Sequence, residues 1–131
     1  MTLVLDASVA ASWCLPDESS AQAERALDHI GDEGAITPAH WWFEVRNVLL
    51  VAERRGRIEA RQTRRFLVLL RDLDIAVDRS PDDQAIFELA RIHGLTFYDA
   101  AYLELAVREG EIATLDGSLA RACGKEQVKV I

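Results

Sequence analysis

Cysteine is nearly absent: Cys14 and Cys123 are the only two, at a spacing that matches no zinc motif. That argues against a disulfide scaffold or a cysteine-rich metal site and leaves buried thiols as the expectation. Long apolar runs are missing too. No stretch approaches the roughly 20 residues a membrane-spanning helix needs, and Asp6 falls where the apolar run of a signal peptide would continue, so the chain is expected to be soluble and cytoplasmic. Positive charge is in deficit. A formal net charge of -7 argues against a protein that grips nucleic acid over its whole surface, so any nucleic-acid activity must be local and cation-mediated. His29, His40 and His93 are isolated, match no zinc pattern and are assigned no chemistry.

What is present fits one compact domain spanning residues 1–131, since half of the 131 residues are apolar and a second domain has no room. Thr2 to Leu5 reads as a buried strand stopped at Asp6, with a helix from Ser8 that Pro16 and the polar 17–20 stretch interrupt. A helix over 21–30 ends at a Gly31 to Gly34 break. A short strand 35–37 stops at Pro38. Trp41 to Arg55 and Glu59 to Leu70 read as a helical hairpin around Gly56. Asp74 to Val77 reads as a strand, followed by a helix that starts at Pro81 after Ser80 and runs to His93. Thr96 and Asp99 resemble a capping box opening a helix through Arg108. A strand 112–115 stopped at Asp116, a helix 118–123 and a final strand 128–131 complete the order. Strands alternating with helices imply an α/β architecture with a mainly parallel central sheet covered on both faces.

Four carboxylates stand out against this frame. Asp6 and Asp116 each follow a short apolar run, which places them at the carboxyl edge of a parallel sheet, where ligands bind in open α/β folds. Capping of the next helix is the alternative job for each. Glu44 shares a helical stripe with Trp41, Val45, Val48 and Val51, so it is expected to face inward, where a charge must be protonated, paired with a base or coordinated to a metal. Asp99 lies on the face of Leu103 and Ala106, opposite Glu104 and Arg108, with a capping role as its alternative. Asn47, one turn beyond Glu44, and Ser8, two residues beyond Asp6, are placed to support them by hydrogen bonding. Converging carboxylates repel and raise one another's pKa unless a cation compensates. An all-oxygen site suits Mg²⁺ or Mn²⁺.

Leu5-Asp6-Ala7-Ser8, the Glu44 and Asn47 pair after Pro38, Phe97-Tyr98-Asp99-Ala100-Ala101-Tyr102 and Ala113-Thr114-Leu115-Asp116 together resemble the signature blocks of PIN-domain nucleases. More narrowly, the chain resembles the VapC toxins of VapBC toxin-antitoxin systems, in the family's order from Asp6 to Asp116. The resemblance implies a three-layer α/β/α sandwich whose acidic cluster binds Mg²⁺ or Mn²⁺ and hydrolyses RNA in single-stranded regions. It further implies a homodimer and a cognate VapB-like antitoxin that wraps the toxin and obstructs its site. On that footing Asp6, Asp99, Asp116 and Glu44 are the metal-holding catalytic residues, with Ser8, Asn47 and Thr114 orienting them. Gly117 departs from the pattern, because many relatives carry a further charged residue there.

Two other features are open to two readings each. The basic stretch Arg54, Arg55, Arg57, Arg61, Arg64 and Arg65 either tracks RNA phosphates or is a solvated hairpin end paired with Glu53 and Glu59. Trp41 is expected in the core, whereas Trp42 and Phe43 point elsewhere around the helix and suit a dimer or antitoxin interface. A phosphoacceptor or phosphatase is a rival reading, but Ser8 stands where an Asp-x-Asp pattern needs acid, and the only lysines are Lys125 and Lys129. The other rival is an inactive interaction module in which arginines neutralise the acids.

Overall fold

The computed structural model describes residues 2–18 and 20–131. The opening apolar run forms strand β1 (Leu3–Leu5), and all three of its side chains are fully buried. Successive strand side chains point to opposite faces, so burial of three in a row requires cover on both. That cover comes from helices α1 (Ala7–Ser12), α2 (Ala21–Glu33), α3 (Trp41–Arg54), α4 (Ala60–Arg71), α5 (Asp83–His93), α6 (Phe97–Glu109) and α7 (Gly117–Lys125). The remaining strands are β2 (Ala35–Thr37), β3 (Ile75–Val77), β4 (Glu111–Ala113) and β5 (Lys129–Val130). The sheet order is β3-β2-β1-β4-β5 and every pairing is parallel, giving the expected α/β/α sandwich. Among the described residues no helix is long and apolar enough to cross a membrane.

This order positions the site. From β1 the chain builds outward through β2 to β3, then returns to lay β4 against the other side of β1. The strand order therefore reverses between β1 and β4, and loops leaving the two strands diverge there to open a crevice at their carboxyl ends. Asp6 follows β1 directly, and its backbone N–H bonds Ala113 O of β4 at 3.0 Å.

Several elements differ from the sequence expectation, each for a local reason. α2 continues through Gly31 because Ala23, Ala26 and Ile30 anchor it to the core, which outweighs a helix-interior glycine cost of about 1 kcal/mol. It ends instead at Gly34, where φ is 75° and a Cβ would stand 2.9 Å from Asp74 Oδ2. α5 starts at Asp83 rather than Pro81, because the Asp82 side chain accepts from Ala85 N–H at 3.2 Å and so caps it. β4 ends at Ala113, so Thr114 and Leu115 separate it from Asp116. The buried stripe of α3 is Trp41, Val45, Leu49 and Ala52, which leaves Glu44, Val48 and Val51 on its flank and not at its centre.

α6 differs most. Its Tyr102 to Ala106 run is buried throughout, and Glu104, expected on the outer side, is 3 % exposed. A buried carboxylate persists only if it is paired and hydrogen-bonded. Here Arg108 Nε donates to Glu104 at 2.6 Å and its NH2 group donates to Asp78 at 2.7 Å, while Asp82 N–H donates to Glu104 at 2.8 Å. One guanidinium thereby joins α6 to the loop between β3 and α5, and the Arg108 hydrogen bond holds the Asp78 carboxyl below its ordinary 3.8.

Arg108→Ala leaves Glu104 buried without its cation and is expected to cost about 3 kcal/mol in denaturant unfolding. Because the folded pKa of Asp78 is depressed, its contribution is present above the unfolded value and is lost as pH falls through the lower folded one. The wild type should therefore lose stability on acidification below about pH 4, and Arg108→Ala should lose less over the same range. Equal acid sensitivity in both proteins would contradict the pairing.

Candidate active site

At the crevice, Asp6 is 7 % exposed, and its Oδ2 accepts hydrogen bonds from Ser8 Oγ and Thr114 Oγ1, both at 2.7 Å. These two hydroxyls are themselves fixed. Leu115 N–H donates to Ser8 Oγ and Asp116 N–H donates to Thr114 Oγ1, each at 3.0 Å. The β1 and β4 ends are thus tied by one continuous chain of hydrogen bonds that ends at Asp116. Asp6 occupies the cap position of α1 without making a side-chain cap bond, so the alternative of simple capping does not describe it. Asp116 does cap, accepting from Leu119 N–H through Oδ1 at 3.0 Å, and its other oxygen has no protein donor among the described residues.

Glu44 sits in the first turn of α3, half-buried, and Tyr102 OH of α6 donates to its Oε1 at 2.6 Å. His40 Nε2 lies 3.4 Å from the same oxygen, outside hydrogen-bond geometry, and the ring packs edge-on to Tyr102 with centroids 5.0 Å apart. Asp99 is half-buried one turn before Tyr102. Thr96, not Asp99, caps α6 by accepting from Asp99 N–H at 3.1 Å, which frees the Asp99 carboxylate from the capping alternative.

Charge couples these groups. Burial raises Asp6, opposed by the Thr114 and Ser8 hydroxyls and reinforced by the charge of Asp116. Burial also raises Glu44, with Tyr102 and His40 holding it down while Asp6 and Asp99 push it up. For Asp99 burial is again the first cause, followed by the negative charges of Asp116 and Asp6. Among the described residues no arginine or lysine forms an ion pair with any of the four, and His40 is the sole basic partner of Glu44.

A hard, oxygen-seeking divalent cation fits this donor set: all-oxygen, mutually repelling and, among the described residues, without an arginine or lysine partner. Among the described residues no three His, Cys, Asp or Glu side chains form a finished ligand cage. The arrangement is an electrostatic basin whose walls Ser8, Thr114 and Tyr102 fix. A cavity of about 500 Å³ lies elsewhere, around Glu111 and Lys129 at the starts of β4 and β5.

Sequence reasoning missed Tyr102 and His40. Tyr102 is fully buried and looks like core, though its spacing of three from Asp99 places both on one helix face. Asn47 was expected to brace Glu44 but is exposed and makes no side-chain hydrogen bond among the described residues; Tyr102 takes that place. Arg57 pairs with Asp17 and Glu18, and Arg61 with Glu59 at 3.7 Å, whereas Glu53 accepts from Thr63. Trp41 is buried and Trp42 and Phe43 are 50 % and 69 % exposed, as their places around the helix require. Both cysteines are free, and burial pushes the Cys123 thiol up to about 12.

Comparison with known proteins decides the family, because the family model described as the PIN domain matches residues 3–125. This chain belongs to the PIN-domain family. Among curated proteins the PIN chain is 36 % identical over 124 residues to Ribonuclease VapC3 of Pyrobaculum aerophilum, covering 92 % of this chain and 93 % of that protein. The crystal structure of PAE2754 from the same organism superposes with a TM-score of 0.71 at 24 % identity, over 93 % of this chain and 86 % of that one. The second likeness concerns the fold; the first makes this a VapC-like PIN protein.

The raised pKa of Asp99 carries a stability consequence. A carboxyl whose folded pKa exceeds its unfolded one destabilises the fold at all pH above the folded value, and the penalty fades as pH falls to the unfolded value. Asp99→Asn should therefore melt at a higher temperature than wild type at pH 7 in chelator, with the gap closing toward pH 4. A lower melting temperature for the variant at pH 7 would contradict the repulsion described here.

Proposed function

We propose that this PIN protein is a divalent-cation-dependent endoribonuclease, the toxin of a type II toxin-antitoxin pair acting in the cytoplasm. The reading rests on one observation: four carboxylates share one field at the sheet's switch point, and among the described residues no arginine or lysine pairs with them. Its 36 % identity to a protein named a ribonuclease supports the same direction. Asp6, Asp99 and Asp116 would hold the cation, Mg²⁺ or Mn²⁺, with Glu44 serving a shared or adjacent position. When bound, it polarises the scissile phosphate and lowers the pKa of the attacking water.

The chain's own residues do the positioning. Ser8 and Thr114 fix both the angle of Asp6 and the loop that carries Asp116, and Tyr102 presents Glu44. This pre-organisation lets the carboxylates meet developing charge without reorganising. The phosphatase rival gains nothing, since Ser8 is committed to Asp6 as a hydrogen-bond donor. The inactive-module rival needs guanidiniums on the four acids, and among the described residues none pairs with them. The exposed Trp42 and Phe43 are the surface we assign to the homodimer or the VapB-like antitoxin.

Millimolar Mn²⁺ should raise the melting temperature of the wild type by binding only the folded state, and Asp6→Asn should abolish that rise. Cleavage of single-stranded RNA should fall about a hundredfold or more in Asp6→Asn and Asp99→Asn. Tyr102→Phe should retain the melting shift but cleave about tenfold more slowly, through loss of one hydrogen bond to a charged group. Wild-type cleavage rates in both aspartate variants would refute the assignment.

A further inference from the structure

A second cavity is lined in part by His40, the neighbour of Glu44. It measures about 190 Å³ and is walled by Pro38, Ile86, Phe97 and Ala101, with Asp78 and Asp83 at its edge. This is smaller than the roughly 300–1,000 Å³ of a drug-sized pocket and suits a single flat ring system. We infer that this cavity seats the nucleobase next to the scissile phosphate and that Asp83 selects guanine there. The inference rests on the ribonuclease reading and names the substrate feature which that site would recognise.

Placement is the first argument. Phe97 and Asp99 both belong to the first turn of α6, on different faces of the helix, and Pro38 precedes α3, which carries Glu44 in its first turn. His40 lines this cavity and its Nε2 lies 3.4 Å from Glu44 Oε1, so the cavity adjoins one of the four carboxylates through a single imidazole ring. The second argument is the wall chemistry. Phe97 is 40 % exposed and packs edge-on to Phe87 with centroids 4.9 Å apart, so its ring is braced from one side. Single-stranded bases are typically held by stacking on such a ring, with hydrogen bonds to their exposed edges.

The third argument concerns which edge is read. Asp78 is committed, since Arg108 donates to both of its oxygens, at 3.4 and 2.7 Å. Asp83 has no hydrogen-bond or ionic partner among the described residues and is exposed. An ionised carboxylate is acceptor-only and takes two parallel donors best. Guanine offers N1–H and its 2-amino group side by side; uracil offers a single N–H. A well-made bidentate contact to a base is worth about ten- to a hundredfold in discrimination.

The test has a binding arm and a cleavage arm. In cation-free ¹⁵N-labelled protein, guanosine should shift the amides of Phe97, Ala101 and Asp83, uridine should shift them at least tenfold more weakly, and Asp83→Ala should remove the difference. With Mn²⁺, oligonucleotides varied at one position beside the cut should show at least a tenfold preference for guanine in kcat/KM, and Asp83→Ala should bring the guanine-to-uracil ratio toward one. Equal shifts by the two nucleosides, or a guanine preference that survives Asp83→Ala, would overturn the inference. If no oligonucleotide is cut, the ribonuclease reading fails, while the nucleoside shifts still decide whether the cavity takes guanine.

Discussion

Like charge held together without a counter-ion is the constraint around which this molecule is arranged. Asp6 is placed by the central strand and buried to 7 % exposure, where an isolated carboxylate loses most of its hydration. The hydroxyls of Ser8 and Thr114 restore part of what water would supply. They do not cancel charge, and the carboxylates of Asp99, Asp116 and Glu44 add more of the same sign. A fold tolerates such a basin when its scaffold is stable without it. The fully buried β1 and the buried Tyr102 to Ala106 run of α6, clamped through Arg108, supply that scaffold.

The two acidic environments in this chain make an instructive pair. Glu104 is more deeply buried than Asp99, yet its charge is answered by Arg108 four residues away and by a backbone N–H. Asp99 has no cationic side chain to answer it among the described residues; it feels the charge of other acids, offset by His40 and a hydrogen bond with Thr96. The same helix therefore carries one carboxylate paired with a guanidinium and another that, among the described residues, forms no ion pair with arginine or lysine. Burial alone does not separate them, whereas the identity of the partner does.

Much of this was legible in the sequence because it depends on local chemistry. An apolar run broken by Asp6, the Thr96 cap and the alternation of strands with helices led directly to a parallel α/β/α sheet with acids at its carboxyl edge. The details that were not legible depend on packing between distant elements. Glu104 looked exposed because a helical pattern cannot show that α5 packs on its outer side. The inward stripe of α3 begins as expected with Trp41 and Val45 but continues through Leu49 and Ala52 in place of Val48 and Val51. Tyr102 reads as an ordinary core aromatic until α3 brings Glu44 to its hydroxyl, and Asn47 was credited with that role because helical spacing ignores what stands across the groove.

The central claim is that these separated acids form one cation site. Crystals soaked in Mn²⁺ and measured at the manganese absorption edge address it directly. The account predicts an anomalous peak within ligand distance of Asp6 and at least one of Asp99 and Asp116. A fully soaked crystal with no peak there, or with manganese held only by acids elsewhere on the surface, would contradict it.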